Sequence, residues 1–217
     1  IPNADGLSRV FDLQQMTVSG RWFLHYASAL NNFTQMPAVI GLLSLLLLGL
    51  AAALTVEVLG VKSGVLGGLC GAVVACFPCM GYTFLYMFTA SAYCLAIFLA
   101  VLSVWLAGRG KGGFLLAVLL LAMAMGTYQV YVTVAISLSL LSVMRKVMER
   151  GTTFRDDLLY GLKLMSYIAL GAVFYYVILL IFLKVKDLEL LSDSVSFTAV
   201  SGGESVAVKL PIPGKFT

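Results

Sequence analysis

The side chains with the most chemical potential lie near the start of the chain. Asn3-Ala4-Asp5-Gly6-Leu7-Ser8-Arg9 is followed by Ser19-Gly20-Arg21-Trp22-Phe23 and by His25, the only histidine. A carboxylate beside two arginines suits work on a lipid phosphate. Arginine forks two donors onto a pair of phosphate oxygens. A carboxylate can take a proton from a hydroxyl as general base. The same residues also read as a solvated loop whose arginines snorkel from a lipid surface. No second His or Cys stands at metal-ligand spacing from His25 outside the apolar runs, so no metal site is expected.

Other reactive residue types sit in apolar surroundings. Cys70, Cys76, Cys79 and Cys94 all fall in apolar stretches, where cysteine behaves as a small hydrophobe. Cys76-Phe77-Pro78-Cys79 has redox spacing, but no βαβ pattern surrounds it, and packing is the better reading. Asp156-Asp157 reads as a helix start, where carboxylates favour the positive end of the helix dipole.

The elements that must position these residues follow from composition. Of 217 residues, 61% are hydrophobic and 11% charged. Mean hydropathy is +1.01. A soluble domain of this size could not hide so much apolar surface. The composition excludes a soluble enzyme, a disordered segment and a nucleic-acid-binding module. It leaves an integral membrane protein, and the net charge of +4 becomes a loop bias.

Residues 26–56, 63–108, 112–144 and 164–183 carry no Asp, Glu, Lys or Arg. A bilayer core needs roughly 20 apolar residues of helix. Spans are expected over residues 37–56, 64–77, 83–106 and 158–183, with Pro37 suited to a helix start. Gly64, Gly67, Gly68 and Gly71 suit close helix packing in lipid. Short strands are expected over residues 194–200 and 205–210, separated by Gly202-Gly203.

The run 114–144 is special. It is flanked by Arg109 and Lys111 on one side and by Arg145, Lys146, Arg150 and Arg155 on the other. Both basic loops belong on the cytoplasmic side. One straight helix would put them on opposite sides. A re-entrant hairpin turning at Gly126-Thr127-Tyr128-Gln129 resolves the conflict; one long tilted helix is the alternative. Irregular backbone at such depth is tolerated only inside protein or against a wet cavity. The turn is therefore a functional candidate. Upstream, Leu7, Val10, Phe11 and Leu13 fall at helical spacing, with Arg9, Asp12, Gln14 and Gln15 opposite. That pattern predicts a short amphipathic helix on the membrane surface. Trp22, Phe23 and Tyr26 fit the aromatic belt ahead of the first span.

The order Asn-x-Asp, an Arg four residues after the Asp, and Gly-Arg-Trp before an apolar span resembles the bacterial serotype-converting O-antigen glucosyltransferases. Thr83-Phe84-Leu85-Tyr86-Met87-Phe88-Thr89-Ala90-Ser91-Ala92-Tyr93 and Gly126-Thr127-Tyr128-Gln129-Val130-Tyr131 are also similar to that family. The resemblance covers roughly residues 3–150. It implies a polytopic transmembrane bundle of the GT-C type; with the hairpin, the amphipathic N-terminal loop and the short β-like tail read above, the expected fold class is all-α. It also implies a membrane glycosyltransferase in the bacterial inner membrane, active site facing the periplasm. The donor would be a polyprenyl-phosphate sugar, here glucose. The acceptor would be O-antigen, as in lipopolysaccharide, or another lipid-linked or polymeric cell-surface glycan. By position Asp5 would be the catalytic base. Gly6 follows it where family members often carry a second acid. Arg9, Arg21, Trp22, Tyr128, Gln129 and Tyr131 would bind substrate, with no cofactor and no nucleic-acid partner. The expected divisions are a periplasmic loop with its amphipathic surface helix over 1–36, a transmembrane domain over 37–186 and the start of a periplasmic tail or domain over 187–217. Family members extend further at both ends, so a truncated piece is expected. The competing reading is a non-enzymatic transporter or flippase subunit. The charge-free runs lack the midplane ionisable residues that ion-coupled transport uses.

Overall fold

The computed structural model describes residues 17–29, 37–76, 83–84, 87–148, 154–185, 196–201 and 204–209. The expected surface helix within residues 1–16, the stretch joining the expected spans 64–77 and 83–106, Cys79, Asp5 and Arg9 lie outside the described residues. The helices are α1 (Leu24–Ser28), α2 (Pro37–Val58), α3 (Gly64–Cys76), α4 (Met87–Ala107), α5 (Lys111–Thr127), α6 (Val132–Met148) and α7 (Phe154–Val185). A 3₁₀ turn, Gln129–Tyr131, joins α5 to α6. Strands β1 (Ser196–Ser201) and β2 (Glu204–Lys209) pair antiparallel, Ser201 opposite Glu204 and Ser196 opposite Lys209.

The chain is an all-α polytopic bundle. Among the described residues four helices are long and apolar enough to cross a membrane: Ala38–Val58, Thr89–Ala107, Gln129–Met148 and Phe154–Val185. In lipid a helix satisfies its own backbone, so Leu- and Ala-rich runs without charge fold this way. Hydroxyls inside the runs bond back to their own helix. Ser44 donates to the Ile40 carbonyl at 2.6 Å and Thr127 to the Met123 carbonyl at 3.1 Å. The apolar surface faces outward, as lipid contact requires: Leu42 and Leu115 are each 72% exposed. The interior holds Leu121, Leu164 and Tyr167. Gly171 of α7 lies so close to Leu121 of α5 that a Cβ would stand 2.7 Å from Leu121 Cδ2. A small residue is what permits that approach.

Glycine shapes the end of α2. Gly60 has φ +64°. Its N–H donates to the Glu57 carbonyl at 2.9 Å, and Val61 N–H to the Val56 carbonyl at 3.2 Å. This is a Schellman close, which needs a left-handed residue after the helix. Several contacts gather at this end of the bundle. Arg109 Nη2 meets Glu57 Oε1 at 3.2 Å. Arg145 Nη1 donates to the Val58 carbonyl at 3.0 Å. Lys163 Nζ donates to the Gly108 carbonyl at 3.4 Å. Ser142 and Tyr160 hydroxyls lie 2.8 Å apart.

Both flanks of α5–α6 therefore sit at the same basic end, and the chain reverses between them. The turn falls where expected: α5 ends at Thr127, Tyr128 is extended (φ −160°, ψ 124°) and the 3₁₀ turn follows. Each arm has 17 residues, or about 25 Å of helix. They are longer than the expected hairpin because the helices run on through Lys111 and Arg145-Lys146. The two arms do not pack along each other. Both instead pack on α4 and α7. Helix α7 starts at Phe154 rather than Leu158, with Asp156 and Asp157 in its first turn.

Candidate functional site

At the end opposite the basic cluster, residues 17–29 lie against the α5–α6 turn. Two sets of residues distant in sequence meet there. Phe23 N–H donates to the Gly126 carbonyl at 2.8 Å. The Trp22 ring fills the space beside Gly126, where a Cβ would stand 2.6 Å from Trp22 Cε2. The ring also stacks on Phe182 of α7, centroids 5.7 Å apart. Trp22 is accordingly only 7% exposed, and its indole is committed to packing.

A polar knot lies one residue back. Gln129 Nε2 donates to the Ser19 carbonyl at 3.1 Å and to the Tyr175 hydroxyl at 3.0 Å. The Tyr175 hydroxyl donates to the Gly20 carbonyl at 3.0 Å. Gly20 has φ +81°, and a Cβ there would stand 2.7 Å from the Tyr175 hydroxyl. The left-handed backbone and the lack of room both call for glycine.

Arg21 sits between these anchors. Its Cζ lies 4.6 Å from the centroid of the Tyr128 ring, a cation–π distance. Its Nε is buried and has no hydrogen-bond partner among the described residues. Tyr128 belongs to a group of tyrosines: Tyr93–Tyr128, Tyr93–Tyr131 and Tyr128–Tyr131 centroids lie 6.1, 6.2 and 6.1 Å apart. Tyr128 and Tyr131 also line a cavity of about 570 Å³. Its other walls include Thr55 of α2, Val73 of α3, Ile97 of α4 and Ser137 of α6. Tyr128 thus both carries a guanidinium over its ring and lines an apolar groove. Such an arrangement can hold an amphiphile with an anionic head and a hydrocarbon tail.

Of the residues singled out in the sequence, Arg21, Trp22, Tyr128, Gln129 and Tyr131 come together here. Asp5 and Arg9 lie outside the described residues. Tyr175 and Phe182 carried no signal in the sequence, and Tyr93 stood in a family-like segment without a role of its own. Each is an aromatic in an apolar run, where packing is the ordinary reading. His25 lies edge-on to Tyr26, centroids 5.7 Å apart. Among the described residues no group of His, Cys, Asp and Glu could hold a metal ion.

A family model, glucosyl transferase GtrII, matches residues 1–207. No curated protein and no solved structure matches the chain.

Proposed function

The chain belongs to the glucosyl transferase GtrII family, and on that premise we propose that it moves glucose from a polyprenyl-phosphate donor to O-antigen or another cell-surface polysaccharide. Membership makes it a glycosyltransferase and replaces the transporter reading. The observation that carries the finer reading is Arg21. Its guanidinium stands over the ring of Tyr128, a residue that lines the apolar groove, with Nε unpartnered among the described residues. The groove suits the hydrocarbon tail of the donor and Arg21 its phosphate. Tyr128 and Tyr131 would line the path between them. The positive-inside rule assigns the basic end to the cytoplasm, which turns Arg21 toward the periplasm of a bacterial inner membrane.

The transfer balances as an inverting displacement. The acceptor hydroxyl oxygen forms a bond to the anomeric carbon, and the bond from that carbon to the phosphate oxygen breaks. The electron pair leaves on polyprenyl phosphate, and the hydroxyl proton passes to a general base, Asp5. A phosphate leaving group is already anionic. Positive charge from Arg21 and Arg9 stabilises it without protonation. Nearby arginine charge also keeps a carboxylate ionised and able to accept the proton.

The test is transfer in membranes containing the full-length protein. Polyprenyl-phosphate [¹⁴C]glucose should label the polysaccharide, and nucleotide-linked [¹⁴C]glucose alone should not. Label that arrives from the nucleotide sugar without a lipid intermediate would overturn the donor assignment.

A further inference from the structure

Arg21 is held by its neighbours along the chain more than by its own side chain. The carbonyls of the two preceding residues are each fixed from a different element. Ser19 is fixed by Gln129 of the 3₁₀ turn, and Gly20 by Tyr175 of α7. The two anchors are themselves joined, because Gln129 Nε2 donates to the Tyr175 hydroxyl at 3.0 Å. The Gln129 amide has two N–H hydrogens, one for Ser19 and one for Tyr175, and the single Tyr175 proton goes to Gly20. The Gly20 carbonyl belongs to the peptide unit whose nitrogen is that of Arg21. Fixing that oxygen fixes the plane from which the Arg21 side chain departs. On the far side, the Phe23 N–H bond to the Gly126 carbonyl holds the chain again.

We propose that Tyr175 and Gln129 are positioning residues that aim Arg21 at the donor phosphate. The proposal rests on the reading of Arg21 given above. It gives Gln129 a role through the protein, since both its amide hydrogens are engaged there. It also brings α7 into the site through one hydroxyl. Oriented charge is effective because it needs no rearrangement when the bond breaks, and a small misplacement of such a group is costly in rate.

Tyr175→Phe removes the hydroxyl and keeps the ring. Donor kinetics are measured on the full-length protein in membranes, with polyprenyl-phosphate [¹⁴C]glucose as the probe. The variant should lower kcat about tenfold, the scale of one well-placed hydrogen bond, with KM near the wild-type value. Against an Arg21→Ala background the same change should cost almost nothing, because no guanidinium remains to aim. A second readout needs no donor. With cysteine in place of Arg21, a membrane-impermeant maleimide should label several-fold faster once Tyr175→Phe is added. If Tyr175→Phe does not fold, Gln129→Leu is read in the same way. Equal labelling rates, or an equal kinetic cost with and without Arg21, would overturn the positioning role. A wild-type protein that transfers no label from this donor would overturn the functional reading instead, and the labelling rates would still decide the positioning role.

Discussion

Trp22 occupies the space that a side chain on Gly126 would need: a Cβ there would stand 2.6 Å from Trp22 Cε2 and 2.9 Å from Nε1. The obstacle is a buried ring stacked on Phe182, not the loose end of a flexible chain. This contact docks the segment bearing Arg21 onto the helix break.

Gly126→Ala should therefore destabilise the protein by about 1–3 kcal/mol, the usual cost of overpacking a filled site. The measurement is thermal unfolding of the purified protein in detergent. Combining it with Trp22→Leu, which vacates the space, should cost less than the sum of the two single changes. A Gly126→Ala protein that melts with the wild type would show that the segment does not dock this way.

The chain reversal between α5 and α6 predicts a labelling pattern. Cysteines placed at Gly113 and at Arg145 should react from the same side of the membrane. Arg109 against Glu57 and Arg145 against the Val58 carbonyl put both flanks at one end of the bundle. Reaction from opposite sides would mean a single continuous span.

That reversal was legible in the sequence, and the reason is electrostatic. Two basic flanks cannot both be cytoplasmic if one helix joins them, and Gly126-Thr127-Tyr128-Gln129 is where the apolar run breaks. The first span was legible as well from its start at Pro37, and its helix runs on to Val58, two residues past the expected end at 56. The resemblance marked Arg21, Trp22 and the residues of the turn, and these do converge. What the sequence hid is their partners. Tyr175 stands in Phe174-Tyr175-Tyr176 within an apolar helix, and the carbonyl it bonds lies 155 positions away. No periodicity connects such a pair, because the link exists only once α7 packs on the bundle. Trp22 reads in sequence as a belt residue or sugar platform. In the fold its ring is enclosed by Gly126 and Phe182, a contact that depends on three segments far apart in the chain.

The groove makes a prediction about chain length. Ser137 lines it from α6, with its side chain exposed to the cavity. Ser137→Trp would fill part of the roughly 570 Å³. It should raise KM for a long polyprenyl-phosphate glucose far more than for a short-chain analogue, leaving kcat for the analogue near wild type. Kinetics with the two donors decide it. Equal effects on both would mean that the tail lies elsewhere.

Asp5 is the proposed base of the transfer. Asp5→Asn keeps size and shape and removes the base. Asp12 is the control, expected on the solvated face of the same surface segment. The measurement is sugar transfer from polyprenyl-phosphate [¹⁴C]glucose in membranes, with protein levels matched. Asp5→Asn should cost on the order of 100- to 10,000-fold in rate, and Asp12→Asn should cost little. Near-normal transfer by Asp5→Asn, or equal losses at Asp5 and Asp12, would contradict the mechanism.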